Sequence, residues 1–246
     1  MQQELFATQP LPRDGPMCYT TDGDFMNNIP VYVSSGGTAT LILREIPHKK
    51  TAYILLRTVL PGGLPELMED CMSTCRGFGA AHCLFSCEDS SVSIPLPHAY
   101  DILRLRVQKA ALPPLEAPIS LTPISPENDS IYQRIYNLCF RDVSHALTYE
   151  RDQLSRIYRE GHRAYLAFAP DGAPCGMGEL HGNELAAVGL LPEYRGRGKA
   201  LTLSLLAHCP GPEITLTVVS DNERALNLYG AMGFTVTGRE STWYKG

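Results

Sequence analysis

The stretch Leu190-Leu-Pro-Glu-Tyr-Arg-Gly-Arg-Gly-Lys-Ala200 decides how the second half of this chain folds. To its left, Glu184–Leu191 reads as an apolar strand that stops at Pro192. To its right, Gly198–Cys209 reads as an amphipathic helix through Leu201, Leu205 and Leu206. Between them lies a turn with Gly196, Gly198 and the cations Arg195, Arg197 and Lys199. The first turn of a helix has backbone N–H groups without intrahelical acceptors, at the positive end of its dipole. Glycines let a phosphate come close to such a backbone. The turn therefore reads as a pyrophosphate cradle; the plain alternative is an ordinary basic strand-to-helix turn. It is neither a Walker loop, for want of the spacing and the Gly-Lys-Ser/Thr, nor a dinucleotide fingerprint, for want of the third glycine.

Around this turn the second half predicts a regular order. Ser130–Phe140 is a helix with Ile131, Ile135 and Leu138 on one side, and Tyr149–Glu160 is a second helix. Arg163–Ala169 and Ala173–Leu180 form a hairpin about Asp171-Gly172, and Glu184–Leu191 follows a turn at Gly182-Asn183. After the helix from Gly198 come a β-branched strand, Glu213–Val219, a helix, Glu223–Met232, stopped by Gly233, and one or two strands in Phe234–Lys245. The strand-helix-strand crossover makes two strands parallel and predicts a ligand site where they diverge at their carboxyl ends.

Arg195-Gly-Arg-Gly198-Lys-Ala200 resembles the Arg/Gln-x-x-Gly-x-Gly/Ala signature of the GNAT superfamily of N-acetyltransferases. Leu190-Leu-Pro-Glu-Tyr-Arg195 resembles the end of that family's fourth strand. Asn222-Glu-Arg-Ala225-Leu-Asn-Leu-Tyr229-Gly-Ala-Met-Gly233-Phe234 resembles its Asn-x-x-Ala-x-x-x-Tyr-x-x-x-Gly-Phe. The likeness covers about residues 118–246 and implies a mixed α/β acyl-CoA N-acyltransferase fold with acetyl-CoA as cosubstrate. On that resemblance, Arg195, Gly196, Arg197, Gly198, Lys199 and Ala200 take the pyrophosphate. Val188, Leu190 and Leu191 offer strand-edge groups to the pantetheine arm, with an oxyanion-type N–H near Leu190. Asn222 contacts the arm while capping its helix. Tyr229 is the acid for the leaving thiolate. Lys199 stands where the family usually has an apolar residue, and Ala200 where glycine is commoner.

The acceptor amine is protonated at neutral pH, so a base must take its proton. Glu179, late in its hairpin strand, is the candidate; Glu184 and His181 are alternatives, and the family fixes no base position. The expected activity is transfer of an acetyl group to a primary amine of a small molecule, amino acid or peptide. The other readings are a non-catalytic acyl-CoA-binding regulatory module, and transfer to oxygen or of a longer acyl chain. No metal is expected, because a thioester is already activated.

The first half carries no such motif. Ile29–Ser34, Ala39–Glu45 and Ala52–Leu60 read as strands, Pro61-Gly62-Gly63 as a break, and Leu64–Gly77 as a helix with Leu64, Leu67, Met68, Cys71 and Met72 on one face. Strands at Ala81–Ser86 and Tyr100–Val107 follow. This β-β-β-α-β order suggests a degenerate GNAT-like repeat, 1–112, serving to shape the acceptor pocket or cover a sheet edge. A proline-rich linker, 113–126, leads to the GNAT-like domain, 118–246, with one short strand expected at Ile119–Thr122. Cys71, Cys75, Cys83 and Cys87 read as core thiols, a zinc site or disulfides, with the wide spacing against zinc.

Among 246 residues, 44% are hydrophobic and the formal net charge is −5. That balance gives no electrostatic reason to expect nucleic acid or an anionic membrane. No apolar run is long enough to span a bilayer, and Met1–Pro16 is polar rather than a signal core, so a cytoplasmic location is expected. Oligomeric state leaves no mark in the sequence.

Overall fold

The computed structural model describes residues 28–89, 91–159 and 161–246; the polar segment Met1–Pro16 lies outside them. The first half runs β1 (Asn28–Ser34), β2 (Gly37–Ile42), α1 (Ile46–Lys49), β3 (Thr51–Val59), α2 (Leu64–Gly77), β4 (His82–Cys87) and β5 (His98–Gln108). After the proline-rich seam come β6 (Ser120–Pro123), α3 (Asp129–Phe140), α4 (Arg151–Arg159), β7 (Arg163–Phe168), β8 (Pro174–His181) and β9 (Glu184–Leu190). The chain closes with α5 (Gly198–Leu206), β10 (Glu213–Val219), α6 (Glu223–Gly230) and β11 (Thr235–Lys245).

All of these strands join one 11-stranded mixed sheet, in the order β1-β2-β3-β4-β11-β5-β10-β9-β8-β7-β6. The two halves exchange their last strands. β5 lies between β10 and β11, antiparallel to both, and is in register with β10 from Gln108↔Glu213 to Ile102↔Val219. β11 in turn lies antiparallel against β4. The seam at 113–126 thus divides the chain but not the sheet. The core follows the same rule: Leu105 and Val107 of β5 are buried together with Leu201, Leu205, Ile214 and Leu216 of the second half. At roughly 1.5–3 kcal/mol for each fully buried aliphatic side chain, these shared contacts bind the halves strongly.

Helices cover the second half's sheet on both faces. α5 and α6 pack through Leu201, Leu205, Leu206, Tyr229 and Met232. α3 and α4 pack on the other face through Tyr132, Ile135, Tyr136, Leu154 and Ile157. The buried face of α3 differs from the sequence expectation: Leu138 is 47% exposed, while Tyr132 is fully covered. Tyrosine can go inside here because its hydroxyl finds an acceptor in Glu179. In the first half, α2 buries Leu67, Met68, Cys71 and Cys75 against β2, β3 and β4. Cys71, Cys75 and Cys83 are free and buried in that apolar cluster. Burial holds the Cys71 thiol up at about 12, so it behaves as a small hydrophobe. Among the described residues no three His, Cys, Asp or Glu side chains come together as metal ligands.

Candidate active site

The parallel strands β9 and β10 pair at only two positions, Glu184↔Thr215 and Leu185↔Leu216. Beyond them β9 follows β8, with Val188 opposite Gly178 and Leu190 opposite Gly176. β10 meanwhile follows β5, with Thr217 opposite Arg104 and Val219 opposite Ile102. The sheet therefore opens into a wedge, and β9 beyond Leu185 turns one backbone edge towards it. A cavity of about 150 Å³ fills the wedge, with Ala187 and Val188 on one wall, Thr217 and Val219 on the other, and Asn222, Ala225 and Tyr229 at its end. The loop after α3 roofs it with Val143, His145, Leu147 and Tyr149.

The basic turn lies where β9 leads into α5. Pro192–Tyr194 forms a short 3-10 turn, Gly196 has φ +95°, and Arg197 is the N-cap of α5. The left-handed φ is a conformation that glycine adopts without a Cβ penalty. The Leu201 amide is the first to find an acceptor inside the helix, the Arg197 carbonyl at 3.0 Å. The preceding amides of Gly198, Lys199 and Ala200 point out of the helix start. Arg195, Gly196 and Lys199 are exposed. A Cβ on Gly196 would meet nothing within 4 Å, and one on Gly198 only Leu228, at 3.4 Å. The surface above these amides is open, as an incoming diphosphate requires.

Asn222 caps α6, its side-chain oxygen accepting from the Ala225 amide at 3.1 Å, and it also lines the cavity. Capping and cavity lining thus coexist in one side chain. Tyr229, one turn after Ala225, is 8% exposed. Burial pushes its phenol up to about 12, so it carries its proton throughout the neutral range.

Glu179 is fully buried on β8, opposite Ala187 of β9. Its Oε2 accepts from the hydroxyls of Tyr132 and Tyr149, both at 2.9 Å, and its Oε1 lies 2.8 Å from His162 Nδ1. Burial, reinforced by the Glu179 charge, keeps both phenols well above their ordinary titration range, so each is a standing donor. The carboxylate is therefore not itself in the cavity wall: Tyr149 stands between them. The alternative bases meet on the far side. The His181 ring stacks on His162 at 4.4 Å, and Glu184, paired with His181 across the β8–β9 turn, has its carboxyl raised by burial and then by Glu240.

The family model described as "Acetyltransferase (GNAT) family" matches residues 130–234. That segment belongs to the GNAT family. Over 90 residues the chain is 32% identical to the peptidyl-lysine N-acetyltransferase YjaB of Escherichia coli K12, covering 37% of this chain and 61% of that protein. Over 69 residues it is 45% identical to the mycothiol acetyltransferase of a Nocardioides species, covering 26% of this chain and 23% of that protein. The chain thus spans less than two thirds of the length of either relative. A tandem GNAT protein from the clavulanic acid biosynthesis pathway shares the fold, with a TM-score of 0.53 and 18% identity over 88% of this chain and 81% of that one.

Within the GNAT segment, sequence reasoning reached Glu179, Glu184 and His181 separately but passed over His162, which meets Glu179 and stacks on His181. A histidine directly before a strand, His162-Arg163, carries no motif; only the register of β7 with β8 places it beside Glu179. Tyr132 and Tyr149 were likewise unremarked, since a tyrosine on a helix or loop reads as packing. Among the described residues the first half has no equivalent wedge. Its parallel pair β3 and β4 stays in register at six positions, from Thr51↔His82 to Leu56↔Cys87. The break at Pro61-Gly62-Gly63 is filled by the chain itself: a Cβ on Gly36 would come within 2.1 Å of the Gly63 carbonyl oxygen. No helix among the described residues is long and apolar enough to cross a membrane.

Proposed function

We propose that this chain is an N-acetyltransferase that moves an acetyl group from acetyl-CoA to a primary amine of a small molecule, amino acid or peptide. The observation that carries the reading is the wedge between β9 and β10, which opens beside a protonated Tyr229 and next to an exposed helix start. In this reading the amides at Gly196, Gly198, Lys199 and Ala200, with Arg195 and Arg197, hold the diphosphate. The free edge of β9 at Val188, Leu190 and Leu191 pairs with the pantetheine arm, and Asn222 lies alongside it. Acetyl-CoA supplies an activated thioester, whose carbonyl carbon takes the amine and whose sulfur leaves.

The remaining work falls to groups of the chain itself. An N–H near Leu190 faces the thioester carbonyl, where negative charge grows in the transition state. Tyr229 gives its proton to the departing sulfur. Glu179 draws the amine's proton inward through the hydroxyl of Tyr149, and His162, whose Nδ1 lies against the other carboxylate oxygen, takes it up there in the tautomer that leaves Nδ1 free. The Tyr149 hydroxyl gives its own proton to Glu179 as it takes one from the amine, so the phenol ends unchanged. We further propose that 1–112 is a degenerate GNAT-like repeat joined through 113–126 to the 118–246 unit, with one cofactor site per chain. Cytoplasmic placement fits acetyl-CoA supply and keeps Cys71, Cys75 and Cys83 reduced.

The name of YjaB makes a lysine-containing peptide a reasonable first acceptor, beside free amino acids and polyamines. Release of CoA thiol on addition of one such amine, together with the acetylated product by mass, supports the reading. Tight acetyl-CoA binding with no release across the whole panel would favour a non-catalytic acyl-CoA sensor instead.

A further inference from the structure

The loop from Arg141 to Glu150 roofs the cavity, and the first half of the chain supplies many of the bonds that fix it. The Lys49 ammonium, at the end of α1, reaches the carbonyl oxygens of Phe140, Val143 and Ala146 at 3.4, 3.3 and 2.7 Å. A cation there neutralises the carbonyls left over as α3 ends. Glu45, the N-cap of α1 and fully buried, accepts from the amide of Thr148 at 2.9 Å and from its hydroxyl at 2.8 Å. Tyr100 of β5 meets His145 Nδ1 at 3.1 Å, and Tyr53 of β3 meets the same ring edge-on at 5.0 Å. From the second half come a bond from Ser144 to Asp221, at 2.6 Å, and the Asn137 side chain bracketing the backbone of Tyr149.

These ties bear directly on the proposed chemistry. His145 has φ +61°, a left-handed conformation uncommon outside glycine that its surroundings help to hold. Its neighbours Val143, Leu147 and Tyr149 form the cavity roof, and Tyr149 carries the contact to Glu179. Thr148, gripped by Glu45, directly precedes Tyr149 in the chain. On the other side of the 143–145 segment, a second cavity of about 390 Å³ opens between the halves, bounded by His48, Lys49, Thr51, Tyr53 and Tyr100. The roof is therefore a thin partition with open space on both sides. Bonds from the α1 turn hold it on one side and bonds from α3 on the other.

We propose that the first half, having closed its own wedge, serves as a latch in which Lys49 and Glu45 are positioning residues for the acceptor. They hold the 141–150 loop so that the amine meets Tyr149 and the thioester together, while cofactor binding proceeds without them. This rests on the acetyltransferase reading, but the latch also has a readout that needs no turnover.

The test uses the full chain with Lys49→Met, Lys49→Arg and Glu45→Ala, and Thr148→Val as a cut made from the loop side should Glu45→Ala not fold. Amide hydrogen exchange is followed in 141–150, and the KM of a lysine-containing peptide and the Kd of acetyl-CoA are measured. Faster exchange confined to the loop and a KM raised about tenfold are expected for Lys49→Met, with acetyl-CoA affinity unchanged and Lys49→Arg recovering part of the loss. Loop exchange identical to the parent in Lys49→Met and in Thr148→Val would overturn the latch. A parent protein that turns over no amine at all would instead count against the acetyltransferase reading, and the exchange data would still decide the latch.

Discussion

The Tyr149 hydroxyl donates to Glu179 Oε2 at 2.9 Å, linking a cavity wall to a carboxylate that has no surface of its own. A second phenol, Tyr132, and the ring of His162 complete the shell around that carboxylate. A buried carboxylate that accepts from two phenols and meets an imidazole nitrogen is satisfied, and removing it leaves the phenols stranded. Its place between the cavity wall and the ring of His162 is the geometry on which the proposed proton path rests.

Glu179→Gln keeps the shape and removes the charge. Turnover is expected to fall roughly 100-fold, within the range of lost general-base assistance, with acetyl-CoA affinity unchanged. The split shows in steady-state kinetics beside calorimetric cofactor binding. A variant with parent-like turnover would remove Glu179 from the proton path.

Tyr229→Phe deletes one hydroxyl at the far end of the same cavity. Since burial holds this phenol up at about 12, no loss of activity from its ionisation is expected as pH rises through neutrality to mildly alkaline values. The variant should lose turnover by roughly 10- to 100-fold with little change in cofactor Kd. Equal turnover in parent and variant would reject the acid role.

His145 gives a pH dependence of stability. Burial, then the charge of Lys49, pushes its imidazole from 6.5 down to about 3. The unfolded chain thus takes up a proton near pH 6.5 that the folded chain refuses. Stability from this group is complete above about pH 6.5 and drains away towards pH 3, at up to about 1.4 kcal/mol per pH unit. His145→Asn, which tolerates the left-handed backbone, should flatten the slope of urea midpoint against pH between pH 6 and 4. An identical slope in the variant would assign that acid sensitivity to other groups.

How much of this the sequence disclosed depends on range. Local patterns located α2 at Leu64–Gly77 and β10 at Glu213–Val219 to the residue, because helix and strand periods are local. The turn at Arg195–Ala200 was visible because two glycines and three cations stand together. The strand exchange was not: nothing in His98–Gln108 says that it lies between β10 and β11 rather than beside β4. The latch was equally hidden, since Lys49 and Ala146 are 97 residues apart and no spacing rule joins them. Leu138 was placed inside α3 on apolar character alone, whereas Glu179 gave the buried side to tyrosines.

The closed pairing of β3 with β4 and the filled turn at Gly63 leave one wedge among the described residues. Calorimetric titration with acetyl-CoA should therefore saturate at one molecule per chain. A second equivalent of comparable affinity would mean that the first half opens in solution.

The most direct measurement is a crystal of the chain grown with coenzyme A. The diphosphate should rest on the backbone amides between Gly196 and Ala200, with the pantetheine arm along β9 from Leu190 to Val188 and the sulfur next to the Tyr229 hydroxyl. Density for the nucleotide elsewhere, with the β9–β10 wedge occupied only by water, would contradict the account.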